Sequence, residues 1–504
     1  MNKIVNSVLI GNGLDIQAGG DDYLNKWIIV RLLAKAKMGR YDGLFTNTQD
    51  GTPLITGDEI VELFNGMVEI ANNARENRYL QLVNDYGDKD VINALKDFKD
   101  HYKYKINSIE EIGMEDWILI FLLFLIEQGD ILEHYEAAKQ GLERMIFDSI
   151  YCEGCIQRLY LNMGKSTKAY FDNFDNVFTL NYDNTLEKLS NKPVFHLHGD
   201  FCTKNIFENL NNAQGYLRKQ NGLNIWFPHQ LEHCNCNAIL DFSGNRKYKL
   251  ATNFTNAFVE FEKFKESISG NKEEIEQILK KIPMEQQEII KIGIENNLQC
   301  GHNYHFQDFE QLTGILTIIG LAPQNDSHIF SCINRSNVEK VVFYHYFGEK
   351  SNDEVVEEIK TLNLPINKPY VIENIKNVWD EIKLTKPNNS TTYTQILLNK
   401  KRNEFLNIFN SFYVNNTVSI DDVLLQLKSI PVATERIICE MMNLEISKNT
   451  YNTTPGSINE LYQHFIDFGK ILKIAAISPQ AFYFLYIINS NSNNKNKKSA
   501  KVKR

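Results

Sequence analysis

Apolar runs of strand length recur along the first three quarters of the chain. They are NSVLIG at 6–11, NVFTLNYD at 176–183, PVFHLHG at 193–199, ILTIIG at 315–320, KVVFYHY at 340–346 and PYVI at 369–372. Each is rich in β-branched or aromatic residues and none alternates strictly between apolar and polar. Strands of that kind are covered on both faces, as in a parallel sheet. Several end directly in glycine or short polar residues. In open α/β sheets ligands bind beyond the carboxyl ends of the strands.

Between the first two runs, residues 12–175 read mostly as amphipathic or apolar helix, with GDEIVELFNGMVEIANNA, DVINALKDFKDHY, MEDWILIFLLFLIEQ and HYEAAKQGLERMIFDSI in succession. A simple crossover needs far less chain, so a helical insertion is expected over about 55–170. A second is expected over 253–296. Beyond the polar stretch at 384–392 the strand pattern stops, and 393–489 reads as an all-helical domain. The tail at 490–504 is polar and basic, a composition that predicts disorder. The expected organisation is an α/β, Rossmann-like parallel sheet over 1–385 with helical insertions, followed by the C-terminal helical domain.

Composition narrows the class. The chain has 504 residues, 43% hydrophobic and 23% charged, as in ordinary globular proteins. A net charge of −9 argues against broad nucleic-acid binding. Eight cysteines in this length do not make a disulfide framework. The most lipophilic run, Trp117 to Ile126, covers about 15 Å as a helix, half of a bilayer core. It predicts a buried core helix, no membrane segment and a cytoplasmic protein.

Four short constellations could carry chemistry. In the first, Gly11 and Gly13 follow a strand and open a helix, as in a dinucleotide fingerprint, but Ile16 stands at the third glycine position. Gly11 would permit the tight turn, and Gly13 would let backbone amides approach a phosphate. Asp15 would repel a pyrophosphate, so it is expected to accept hydrogen bonds from a ribose or from backbone amides. A plain strand-to-helix turn with an Asp cap is the alternative. In the second, an apolar strand ends in Asn181, Tyr182 and Asp183, which are either site residues or structural caps. In the third, His196 and His198 alternate on a strand and should face opposite sides. His198, at the strand end beside Gly199, is the candidate, and His196 reads as a satisfied core histidine. In the fourth, a strand ends at Gly320 and a polar loop leads to a helix with Asp326 near its start.

Each signal is short, but their order is distinctive: G-N-G-x-D, then T-x-N-Y-D, then H-x-H-G, then I-I-G followed by N-D. This order resembles the sirtuin-like superfamily, most closely its bacterial anti-phage branch, which includes the abortive-infection AbiH group. There the first motif commonly reads G-N-G-[FL]-D. The resemblance covers residues 1 to about 375. It implies nucleotide contacts at Gly11, Asn12, Gly13 and Asp15, catalysis by Asn181 and His198, support from Asp183, and Gly320 beside the ribose or adenine end. It implies an NAD glycohydrolase, a hydrolase that consumes NAD as a substrate and releases nicotinamide and ADP-ribose during abortive infection. Asn181 would orient the water or the ribose, and His198 would accept a proton.

The chain departs from the protein-deacylase sirtuins. Those usually carry Gly-Ala-Gly and then Ser in the first motif, and two paired Cys-x-x-Cys motifs after the catalytic His. Here Cys234 and Cys236 are one residue apart, and Cys152 and Cys155 precede the His. A structural zinc needs four tetrahedral ligands, so no metal is expected. An NAD-dependent protein deacylase and a non-enzymatic NAD or ADP-ribose sensor are the alternatives. A suicidal NADase must be gated. The helical surplus, including the apolar stretch 457–477, therefore predicts a homo-oligomer or a hetero-complex with an activating or sensing partner.

Overall fold

The computed structural model describes residues 4–37, 39–42, 44, 57–128, 135–222, 229–268, 272–323, 326–348 and 350–387. The expected helical domain at 393–489 and tail at 490–504 lie outside them. The chain divides into two units, one of Met1–Asn25 with Met67–Ser390, the other of Lys26–Gly66 with Thr391–Arg504. The described part of the second includes most of the helix Asn25–Lys37 and the start of the helix Gly57–Arg75.

Among the described residues the first unit is built on six strands: β1 Asn6–Ile10, β2 Asn176–Thr179, β3 Val194–His196, β4 Thr313–Ile319, β5 Asn337–His345 and β6 Tyr370–Asn374. They form one sheet in the order β3-β2-β1-β4-β5-β6, and every neighbouring pair is parallel. This is the strand order of a doubly wound α/β fold, and the point where the order reverses lies between β1 and β4. The expected α/β parallel sheet is therefore present. Val8 pairs with Val177 on one side and Thr317 on the other.

The sequence predicts this burial. Successive strand residues point to opposite faces, and Val8, Leu9 and Ile10 are all fully buried, so both faces of β1 are covered. On one face Leu9, Phe178, Leu316, Ile318, Val341 and Phe343 join a core with Ile329, Phe330 and Ile333 from the helix Ser327–Arg335. Burying apolar surface contributes roughly 25 cal/mol per Å², so the sheet has a strong reason to keep its register.

The crossover between β1 and β2 is helical, as expected, with helices Leu80–Tyr86, Lys89–His101, Met114–Gln128, Tyr135–Tyr151 and Lys165–Asp172 in this unit. Helix Met114–Gln128 carries the lipophilic run, and Trp117, Ile118, Leu119 and Ile120 are buried. Among the described residues no helix is long and apolar enough to cross a membrane. The second insertion is three helices, Gly244–Ser267, Lys272–Leu279 and Met284–Glu295. The first begins nine residues before the expected boundary, because Ser243 caps it by accepting from the Arg246 N–H.

Strands β2 and β3 are shorter than their apolar runs. β2 stops at Thr179 and β3 at His196, which places Asn181, Asp183 and His198 in the loops beyond. Side-chain bonding ends β2: Thr179 Oγ1 donates to the Ile10 carbonyl at 3.2 Å and accepts the Asn181 N–H at 3.0 Å.

Candidate functional site

The loop after β1 is fastened to the end of β4. Gly11 N–H donates to the Ile319 carbonyl and Gly13 N–H to the Gly320 carbonyl, each at 2.9 Å. There is no room for side chains between them. A Cβ on Gly11 would lie 2.6 Å from Gly320 O, and one on Gly13 would lie 2.5 Å from Gly320 Cα. Gly320 itself holds φ +74, in the left-handed region that glycine enters without penalty. The glycines expected to approach a phosphate thus approach each other, and the Gly13 amide is directed into the fold. Asn12 is exposed at the turn, and its Nδ2 donates to the Tyr23 carbonyl at 3.1 Å.

Beneath this loop sits an acid pair. Asp15 and Asp183 are both buried, and Asp15 lies within hydrogen-bonding reach of Asp183 and of Asn181. Burial raises the Asp15 carboxyl well above the usual carboxylate range, and the neighbouring Asp183 raises it further. Burial also raises Asp183, against the bonds it receives from Thr185, whose N–H reaches Asp183 Oδ1 at 2.7 Å. Oδ1 of Asp15 has no hydrogen-bond partner among the described residues. Asp15 caps no helix: Asn12 occupies the cap position of the helix Gly13–Gly19.

Asn181 joins the acid pair to both strand ends. Its Nδ2 donates to the Gly11 carbonyl at 3.3 Å, and its own carbonyl accepts from His196 Nδ1 at 2.8 Å. The other nitrogen of His196 meets Glu187 Oε1 at 2.6 Å. Burial alone would lower the His196 pKa, but Glu187 more than offsets this and the net shift is upward. Both ring nitrogens of His196 are thus occupied by the protein itself.

His198 takes other partners. Its Nε2 lies 2.9 Å from Nε2 of His328, at the start of the helix Ser327–Arg335, and the two rings face each other end to end with their planes 21° apart. The chain is clasped around it: Ile239 N–H donates to the His198 carbonyl at 2.8 Å, and Asp200 N–H to Asn237 Oδ1 at 2.8 Å. Gly199, at φ +77, allows this, since a Cβ there would lie 2.3 Å from the Asn237 carbonyl oxygen. What approaches this glycine is the protein's own backbone.

Behind the histidine pair lies a buried cation. Lys247, in the first turn of the helix Gly244–Ser267, pairs with Glu115 of the helix Met114–Gln128. Burial works against the charged ammonium, but Glu115 and Tyr182 more than compensate, so its pKa is raised. Burial, Lys247 and His328 together hold His198 well below the usual imidazole range. Burial and Lys247 draw His328 down to about 3.

The structure therefore brings Gly11, Gly13, Asp15, Asn181, Asp183 and Gly320 into one hydrogen-bonded and packed group. Asn12 stands at its rim, and His198 belongs to an adjacent group. The sequence reading missed His328, Lys247 and Glu115. His328 stood only two residues after the Asp326 it noted, but nothing local says that this histidine meets one 130 residues away. Asp326 holds the cap position of its helix without a side-chain cap bond. Of the cysteines that stand in pairs along the sequence, Cys234 donates its thiol hydrogen to the Arg144 carbonyl at 3.4 Å. No family model, no curated protein and no solved structure matches this chain.

Proposed function

We propose that the chain hydrolyses NAD at the bond between nicotinamide and ribose, at the carboxyl ends of β1 to β4, and that its cellular role is abortive anti-phage defence. The observation that carries the reading is the bond from Asn181 to the Gly11 carbonyl. It ties the first two motifs of the sirtuin-like resemblance together, although they lie 170 residues apart in the chain.

In this reading Gly11, Asn12 and Gly13 form the turn against which the pyrophosphate rests, with Gly320 beside it. Burial and the neighbouring Asp183 raise the Asp15 pKa, which weakens the repulsion that an ionised Asp15 would exert on the phosphates. Nicotinamide leaves as a neutral ring, so no acid is needed to expel it. The barrier lies in the positive charge developing on the ribose and in delivering water to it. Asn181 orients the ribose or the water, and His198 supplies the imidazole beside it. Asp183 supports Asn181 through Asp15. The partner that gates the enzyme, whether a second copy or a sensing protein, docks on helical surface away from these residues.

Cellular NAD tests the proposal. In bacteria overproducing the full chain, NAD falls, and it does not fall with Asn181→Ala or His198→Ala produced to the same level. Equal NAD in all three strains overturns it.

A further inference from the structure

His198 and His328 face each other Nε2 to Nε2 at 2.9 Å, with their rings 21° from parallel. Such a bond needs one N–H and one bare lone pair. Two neutral imidazoles can supply them in two ways. If His198 donates, His328 must carry its own proton on Nδ1. If His328 donates, its Nδ1 is bare, and the proton of His198 sits on Nδ1.

The surroundings of His328 Nδ1 separate the two. This atom is buried and has no hydrogen-bond partner among the described residues. It lies against Gly244, where a Cβ would come within 2.0 Å of it, at the amino end of a 24-residue helix. Lys247 stands in the same first turn. The amino end of a helix and an ammonium are both positive. They favour a bare lone pair and disfavour an N–H, and a buried N–H left without an acceptor is rare. The other charged groups around the pair are Glu115, which holds Lys247, and Asp326 at the start of the His328 helix.

We propose that His328 is a positioning residue that donates its Nε2–H to His198 Nε2 and so fixes His198 as the Nδ1–H tautomer, which meets an oxygen of the substrate ribose as a hydrogen-bond donor. The identity of that oxygen rests on the NAD reading, and the tautomer does not. His198 then has no free lone pair, so it holds the ribose in place and does not take the proton of the attacking water. Burial keeps both rings neutral near neutral pH, as this arrangement requires.

Nitrogen-15 NMR of the full chain, labelled at histidine, distinguishes the tautomers. The native protein shows His198 protonated at Nδ1 and His328 at Nε2. His328→Gln retains an N–H donor, so His198 keeps its tautomer. His328→Leu removes the donor, and His198 becomes a mixture. In NAD turnover, kcat of His328→Leu falls about 10-fold or more with KM nearly unchanged, and His328→Gln recovers most of it. His198 protonated at Nε2 in the native protein overturns the proposal. So does a native enzyme whose kcat is unmoved by His328→Leu. If the native chain does not consume NAD, the functional reading falls while the NMR spectrum still decides the tautomer. If His328→Leu does not fold, the native and His328→Gln spectra carry the test.

Discussion

Gly13 donates its backbone N–H to the carbonyl of Gly320 at 2.9 Å, across the junction of β1 and β4 where the strand order reverses. The contact gives the first motif a structural role that holds whatever binds there. Gly320→Ala must force a Cβ to within 2.8 Å of Gly13 Cα at a backbone φ of +74. Strain of this kind costs about 1–3 kcal/mol. Urea unfolding should show a loss of that size for Gly320→Ala, with Gly13→Ala at least as severe. Unchanged midpoints would mean that the loop and strand end are not packed as described.

The acid pair makes a prediction about pH. Asp15 and Asp183 have raised pKa values when folded, so the folded state binds protons more tightly than the unfolded one. Stability should therefore fall as pH rises from the unfolded carboxyl value, about 3.9, through the raised folded values. Asp15→Asn removes the charge while keeping the shape. Near neutral pH it should be more stable than the native chain, on the order of 1 kcal/mol, and its stability should depend less on pH. The same variant should weaken NAD turnover, since an acid kept at a stability cost points to use. Thermal unfolding across the acid range checks the first part. A variant that unfolds earlier at neutral pH and keeps the full pH slope would contradict it.

The two histidines of the third motif should separate by phenotype. His196 is bonded at both nitrogens, and its pKa is raised by Glu187. A raised histidine contributes stability that is complete below the unfolded value, about 6.5, and is lost as pH rises through the folded value. Glu187 is 38% exposed, so Glu187→Gln should cost less than about 1 kcal/mol, and only on the acid side of that window. His196→Ala should lower stability at every pH by also releasing the Asn181 carbonyl. His198→Ala should fold and lose turnover by about 100-fold or more. An active His198→Ala beside a folded, inactive His196→Ala would reverse the assignment of the two residues.

The strands were legible because a buried parallel strand has few alternatives to a short β-branched run. All six appear where the apolar runs stand. Their ends were less legible: Thr179 turns its hydroxyl back onto the Ile10 carbonyl and closes β2 early, which apolar periodicity does not register. Asn181, Asp15 and Asp183 could be picked out because short polar residues at strand ends are conspicuous. Their meeting could not be read, since it depends on β1 and β2 becoming neighbours after more than 160 intervening residues. His328 and Lys247 were invisible for the same reason. Lys247 lies before the start expected for the second helical insertion, and only the folded chain sets the first turn of its helix against both histidines.

The central claim is the cleavage itself, and product analysis in heavy-oxygen water tests it most directly. The purified full chain, mixed with NAD alone, should release nicotinamide and ADP-ribose in equal amounts. The new hydroxyl of ADP-ribose should carry the heavy oxygen, and Asn181→Ala should abolish both products. NAD that binds and is recovered intact, or nicotinamide released only when an acyl-lysine peptide is added, would contradict the account.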